Sequence, residues 1–83
     1  VLKKQEEIDL LAIDSENAVI CECKYTEVPF DEKELKDLQD SALCIKQPNK
    51  FYMIFSKNGV TSGVEKIIKD DDKYSIVDLK GLF

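Results

Sequence analysis

Histidine is missing from this 83-residue sequence, and cysteine, proline and glycine are scarce, at three, two and three residues. Without histidine no imidazole can activate a cysteine nucleophile, so a cysteine-dependent active site is disfavoured. A structural zinc site normally takes four cysteine or histidine ligands, and Cys21, Cys23 and Cys44 cannot supply four. An odd cysteine count without a secretory signal also argues against a disulfide framework. We therefore expect free thiols and a reducing compartment, the cytoplasm.

The sequence also lacks repeats, low-complexity tracts and any apolar run long enough to span a membrane. Its hydrophobic content of 43% is typical of a globular protein. A chain of this length predicts one small domain over residues 1–83. Because it begins with Val1 and shows no signal-peptide pattern, we interpret it as part of a larger protein.

The charge balance is acidic, with a net charge of −5 and an isoelectric point near 4.6. Contacts to phosphate supply most non-specific affinity for nucleic acid, so an acidic domain is poorly suited to hold DNA by charge alone. If DNA is a partner, we expect the rest of the longer protein to contribute much of the binding.

Two runs rich in β-forming residues predict a β-hairpin, one over residues 8–13 (IDLLAI) and one over residues 18–24 (AVICECK). Residues 14–17 (DSEN) between them are turn formers. A symmetric turn with an even number of residues sets the register of the two strands. That register pairs Asp14 with Asn17, Asp9 with Glu22, and Glu7 with Lys24.

The pleat of a strand turns alternate residues to opposite faces, so this register can be compared with hydrophobicity. One face is apolar throughout and carries Cys21 and Cys23, which we expect to be buried free thiols. The other face is apolar near the turn and becomes charged at its far end. We therefore expect Asp9 and Glu22 to face each other, with Lys24 on the same face and both cysteines on the opposite one.

Two facing carboxylates repel each other, and a divalent cation would convert that repulsion into shared attraction. Mg²⁺ or Mn²⁺ suits oxygen ligands, here Asp9, Glu22 and the peptide carbonyl of Cys23. Lys24 would orient water or neutralise a phosphate. A metal ion, an oriented water molecule and a positive charge near the phosphate are the components of metal-assisted phosphodiester hydrolysis. The competing interpretation is a solvated strand end, in which Lys24 pairs with Glu7 or Glu22 at little energetic gain.

At these residues the sequence resembles the PD-(D/E)XK, or restriction-endonuclease-like, nuclease superfamily. Asp9 and Glu22 match its two metal-binding acids, and Lys24 matches its catalytic lysine. More narrowly, the segments EIDLLAIDSENAVICECKYTE, DEKELKDL and FYMIFSKNGV look like the C-terminal domain of archaeal and bacterial P-loop ATPases, a domain of uncharacterised function. The resemblance implies an α/β nuclease fold, DNA as a partner, and a P-loop ATPase domain in the same chain.

Helix and strand alternate beyond the hairpin. Asp31 and Glu34 form a capping-box pattern that starts a helix over residues 31–46. A short apolar run predicts a central strand over residues 50–56, covered on both sides. Ser62 and Glu65 resemble a second capping box, residues 70–72 are expected to be a solvated loop, and residues 74–79 a last strand.

These elements predict an α/β fold in which a mixed sheet is flanked by helices. The predicted function is metal-dependent cleavage of DNA, with Glu7 and Gln39 as outer-shell candidates and Tyr25 and Ser56 near the same edge. The first alternative is a catalytically inert module that mediates DNA or protein interaction for the parent ATPase. A second alternative is a regulatory domain that binds a small phosphorylated ligand.

Overall fold

The computed structural model describes residues 10–79, which form a four-stranded mixed sheet and two helices. This architecture confirms the predicted α/β class. The elements in chain order are β1 (Leu10–Ile13), β2 (Asn17–Lys24), α1 (Glu32–Ala42), β3 (Asn49–Ser56), α2 (Ser62–Ile68) and β4 (Tyr74–Asp78).

The hairpin has the register that the sequence predicted. β1 and β2 are antiparallel, and their paired positions run from Leu10 opposite Cys21 to Ile13 opposite Ala18. A shift of one residue would have exchanged the two faces of β2. The expected pairing of Asp9 with Glu22 and of Glu7 with Lys24 lies outside the described residues.

Asp14 organises the hairpin turn. Its carboxylate oxygen Oδ1 accepts hydrogen bonds from the backbone N–H groups of Glu16 (2.9 Å) and Asn17 (2.8 Å). Its own N–H donates to the carbonyl of Asn17 at 2.9 Å. The backbone bonds to the charged carboxylate lower the pKa of Asp14 below its ordinary value, and the side-chain bond from Asn17 acts in the same direction. Hydrogen bonds to the charged Asp14 carboxylate therefore stabilise the turn with an even number of residues, and with it the observed register.

The sheet order is β1-β2-β3-β4, with β3 parallel to β2 and β4 parallel to β3. Each parallel pair is joined through a helix, as parallel neighbours require a crossover. Since parallel strands end at a common edge, the carboxyl ends of β2, β3 and β4 lie side by side.

The core lies between the two helices and one face of the sheet. The sheet contributes the face of β2 and β3 that carries Ala18, Ile20 and Ile54, all 0% exposed. Both helices bury their apolar stripes in the same cluster. The remaining buried members are Phe30, Leu35, Leu38, Ala42, Ile45, Val64 and Ile68.

The opposite face is covered less completely than the sequence suggested. Phe51 of β3 lies on it and is 37% exposed, because α1 and α2 both pack on the face that carries Ile54. The expectation that β3 is covered on both sides is therefore wrong at Phe51.

The cysteines on this second face differ in exposure. Cys21 is buried, and desolvation raises the pKa of its thiol. Cys23 is exposed, so the prediction that both strand thiols are buried is wrong for Cys23. It is the next-to-last residue of β2, on the face opposite the two described helices. Cys44, after α1, is also exposed.

Helix α1 begins with the predicted capping box. Asp31 Oδ1 accepts from the N–H of Glu34, and Glu34 Oε1 accepts from the N–H of Asp31, both at 2.9 Å. The helix ends at Ala42 rather than at the predicted residue 46. Three backbone bonds of the tighter i to i−3 type follow, the last from Ile45 to Ala42. The tight turn still buries Ile45, which is why the helical periodicity extends past the helix.

Helix α2 is capped one residue earlier than predicted. The N-cap is Thr61, whose hydroxyl accepts from the N–H of Val64 at 3.2 Å. Ser62 is the first helical residue and is exposed. The helix is followed by exposed residues 70–72, as expected, and β4 ends at Asp78. Within residues 10–79, neither helix has the length and apolar character needed to cross a bilayer.

Candidate functional site

Polar side chains lie side by side at the carboxyl edge of the sheet. β2 ends at Lys24 and β3 at Ser56, which are register partners, and Ser56 is in turn the partner of Asp78 at the end of β4. Residues paired in register point to the same face of a sheet. Ligands of open α/β sheets bind outside the carboxyl ends of the strands, so this edge is the place to look for a site.

Glu22 and Lys24 share the face that the helices cover. They follow Ile20 at intervals of two residues, and Ile20 is completely buried in the core. Glu22 is half-buried, and its carboxylate oxygen Oε1 is out of contact with solvent. Cys21 and Cys23 lie on the opposite face. The alternation predicted for these four residues is therefore present in the structure.

The first predicted metal ligand, Asp9, and the outer-shell candidate Glu7 lie outside the described residues. Within residues 10–79 there is no group of three histidine, cysteine, aspartate or glutamate side chains able to hold a metal ion. The described part of the chain thus contributes Glu22 alone of the two predicted carboxylate ligands.

The carbonyl of Cys23 is directed to the side of β2 that faces β1. The carbonyl of Asn17 accepts from Asp14 on the β1 side, whereas the carbonyl of Lys24 accepts from Lys57, after β3, at 2.9 Å. Successive carbonyl groups of a strand alternate between its two sides, so the carbonyl of Cys23, six residues after Asn17, points to the same side as the carbonyl of Asn17. A carbonyl oxygen with this direction is on the side where a metal ion bound jointly by β1 and β2 would need it.

Lys24 forms an ion pair with Glu34 of α1, not with a residue of the hairpin. Its Nζ lies 2.5 Å from Glu34 Oε2, and the Lys24 side chain is only 15% exposed. The sequence pattern predicted Glu34 as a capping residue but did not predict this contact. The capping-box spacing was the available signal for its place at the start of α1; the ion pair depends on how α1 crosses the sheet.

The charge of Lys24 also reaches the N-cap of α1. The pKa of Asp31 is lowered first by the backbone hydrogen bond from Glu34 and, to a smaller extent, by the positive charge of Lys24. Asp31, Glu34 and Lys24 therefore form one charged group that joins the start of α1 to the end of β2.

Gln39 is not brought to this edge. Its amide nitrogen donates to the hydroxyl of Tyr74 at 2.8 Å, and Tyr74 is the first residue of β4. Lys24 is the last residue of β2, so the two contacts lie toward opposite ends of the sheet. Gln39 is consequently not an outer-shell partner of Lys24 in this arrangement.

The loop after β2 is tied to the loop after β3. Lys57 Nζ pairs with Glu27 Oε2 at 2.9 Å, and the Asn58 amide donates to the carbonyl of Thr26 at 3.0 Å. The hydrogen bond and the charge of Lys57 lower the pKa of Glu27. Tyr25, the first residue of the loop after β2, is 62% exposed.

Ser56 is the buried polar side chain of this edge. It is 0% exposed, and its hydroxyl has no hydrogen-bond partner among the described residues. It stands between Lys24 and Asp78 in the register. Gly59 follows with a φ of 70°, a left-handed conformation that glycine adopts without strain.

One family model matches part of the chain. DUF234, described as archaeal and bacterial proteins of unknown function, matches residues 2–38. The matched segment includes Glu22, Lys24 and Glu34. No curated protein and no solved structure matches the chain. The similarity thus covers the hairpin and the first part of α1, the two elements that position the charged residues described above.

Proposed function

We propose that this domain hydrolyses phosphodiester bonds in DNA with the help of Mg²⁺ or Mn²⁺. The observation that carries the proposal is the placement of Glu22 and Lys24 on one face of β2, at the carboxyl edge of the sheet. A half-buried carboxylate and a largely buried ammonium on the same face of one strand are suited to a phosphate and its metal ion.

The residues fit a hard cation by the chemistry of their donors. Glu22 offers carboxylate oxygen, the carbonyl of Cys23 is directed to the β1 side, and Asp9 is the proposed second carboxylate. When bound, the metal would act as a Lewis acid toward the phosphodiester. The proposal requires the register observed from Leu10 opposite Cys21 to continue by one more pair.

Lys24 is the proposed catalytic cation. Its ammonium would orient the attacking water and compensate the negative charge that develops on the phosphate. Glu7 remains a proposed outer-shell residue, whereas Gln39 is left out because it is bonded to Tyr74. We place the domain in the cytoplasm, at the C-terminal end of a P-loop ATPase that contributes part of the DNA binding.

Metal binding can be tested independently of cleavage. Millimolar Mn²⁺ or Mg²⁺ should raise the thermal stability of the wild-type chain by mass action, because the ion would bind the folded state alone. Asp9→Asn and Glu22→Gln should each remove that gain. Asp70→Asn, in the exposed loop, is the matched control and should keep it. Titration calorimetry showing equal metal binding by wild type and by both site variants would overturn the metal site.

Cleavage is tested with plasmid DNA, Mg²⁺ or Mn²⁺, and the longer ATPase-containing protein with nucleotide present. We expect nicking that EDTA stops and that Lys24→Ala reduces strongly without loss of metal binding. Intact DNA and RNA under every divalent metal would overturn the nuclease proposal.

A second candidate function is a catalytically inert module that docks the parent ATPase onto DNA or a protein partner. The observation that favours it is the Lys24–Glu34 ion pair, because a pair that joins a strand to a helix has a structural role without any contact to phosphate. This function predicts partner binding that persists in Asp9→Asn, Glu22→Gln and Lys24→Ala, with no metal-dependent cleavage in any of them.

A further inference from the structure

The carboxylate of Glu34 is held at both of its oxygens. Oε1 accepts from the backbone N–H of Asp31 at 2.9 Å, and Oε2 accepts from Lys24 Nζ at 2.5 Å. The first contact belongs to the capping box, so the helix backbone fixes the position of the carboxylate. Lys24 is therefore bound to a carboxylate that is also tied to the backbone of the first turn of α1.

The Lys24–Glu34 pair differs from the other ion pairs of α1. It joins a strand to a helix, and its two side chains are 15% and 35% exposed. Pairs within one exposed helix face contribute little, since water screens them and two long side chains lose freedom. The pairs of that kind here are Lys33–Asp37 and Lys36–Asp40, with side chains between 45% and 82% exposed.

From this geometry we propose that Glu34 is a positioning residue for Lys24, which it holds at the carboxyl edge ready to meet a phosphodiester oxygen. The inference rests on the proposed nuclease function. A lysine ammonium has three donors, and the bond to Glu34 uses one of them. Fixing the long side chain before the substrate arrives removes an ordering cost from the reaction.

Glu34→Gln is the informative variant. The glutamine side chain keeps a carbonyl oxygen that can accept from Asp31, so the start of α1 is preserved, while the charge that holds Lys24 is removed. The matched control is Glu27→Gln. It makes the same chemical change at the exposed Lys57–Glu27 pair, which belongs to the loops after β2 and β3.

The first measurement is the rate at which an acylating reagent modifies Lys24, followed by mass spectrometry of the native protein. We expect Glu34→Gln to raise the rate severalfold and Glu27→Gln to leave it unchanged. Equal labelling of Lys24 in wild type and Glu34→Gln would overturn the inference, whatever the protein does to DNA.

The second measurement is the kinetics of plasmid nicking by the full-length protein with Mg²⁺ or Mn²⁺. Misplacement of a catalytic group by about 1 Å can cost about a hundredfold in rate. We expect Glu34→Gln to lower kcat by about tenfold to a hundredfold while KM for DNA stays within about twofold of wild type, and Glu27→Gln to change neither. An unchanged kcat in Glu34→Gln, together with faster labelling of Lys24, would make the pair purely structural and overturn the inference.

The two measurements distinguish the inference from the function on which it rests. If the wild-type protein cuts no nucleic acid, the proposed function fails and the catalytic role of Glu34 fails with it. Faster labelling of Lys24 in Glu34→Gln would then locate the failure in the function, whereas unchanged labelling would show that the ion pair itself is absent.

Discussion

Gln39 of α1 donates a hydrogen bond to the phenol oxygen of Tyr74 in β4, 35 residues further along the chain, at 2.8 Å. The ring of Tyr74 also stacks on Tyr52 of β3, with centroids 4.6 Å apart and planes inclined by 9°. Helix α1 therefore contacts the edge strand directly, although its closest sequence connections are to β2 and β3. The contact anchors β4 at its amino end, opposite the charged carboxyl edge.

Removing the phenol hydroxyl should weaken this anchor. Tyr74→Phe keeps the ring stacked on Tyr52 but leaves the amide of Gln39 without this partner, so we expect a loss of about 1 kcal/mol in the free energy of unfolding. A double-mutant cycle measures this contribution by urea unfolding of the wild type, Tyr74→Phe, Gln39→Ala and the double variant. Strictly additive effects of the two substitutions would show that the hydrogen bond contributes nothing.

The cap of α2 can be tested with two adjacent hydroxyl residues. Thr61→Ala removes the oxygen that accepts from the N–H of Val64, and we expect it to destabilise the domain by about 1 kcal/mol. Ser62→Ala is the matched control, because Ser62 is exposed and already helical. Its effect on the midpoint of chemical unfolding should be small. A larger effect at Ser62 than at Thr61 would place the cap where the sequence pattern alone had put it.

The reactivity of the three thiols tests which cysteines are exposed and which are buried. A thiol reagent added to the native protein should modify Cys23 and Cys44 quickly, because both are exposed. Cys21 should react slowly, since it is buried and its raised pKa reduces the thiolate population at neutral pH. Unfolding should make all three react. Rapid native modification of Cys21, or protection of Cys23, would contradict the described arrangement of β2.

The hairpin turn should make stability depend on acid pH. The pKa of Asp14 is lower in the folded chain than in the unfolded chain. Its contribution to the free energy of unfolding is therefore fully present above the unfolded-state pKa and is lost as pH falls through the folded-state pKa. Asp14→Ala should therefore destabilise the domain at neutral pH and progressively less below about pH 4. Asp72→Ala removes the same charge from an exposed loop and is the control. A destabilisation by Asp14→Ala that stays constant between neutral and strongly acid pH would contradict this assignment.

Much of the local structure follows from short-range patterns. The even turn over residues 14–17 and the alternation of β2 predict the observed pairing of Ile13 with Ala18, since one residue of slip would exchange the faces. Asp31 and Glu34 predict the start of α1 because a capping box satisfies free N–H groups within one helical turn. These features depend on neighbours along the chain, so they are visible without a tertiary structure.

Helix ends were less predictable. Ile45 continues the apolar periodicity of α1, yet the helix ends at Ala42 and a tight turn buries Ile45. Thr61 and Ser62 are both acceptable capping residues, and the choice of Thr61 depends on where the chain turns after β3. Periodicity and residue type allow more than one boundary, and packing selects among them.

The amino-acid sequence by itself determined the class of the fold, the register of the hairpin and the placement of Glu22 and Lys24 on one face, because strand alternation and capping are local rules. Only the tertiary structure decided which face the helices cover, and that on the opposite face Cys21 is buried while Cys23, near the end of β2, is exposed. It also decided that Lys24 pairs with Glu34. That contact requires α1 to pack on the face of β2 that carries Lys24 and to turn Glu34 toward that strand, which depends on packing and not on the spacing of residues along the chain.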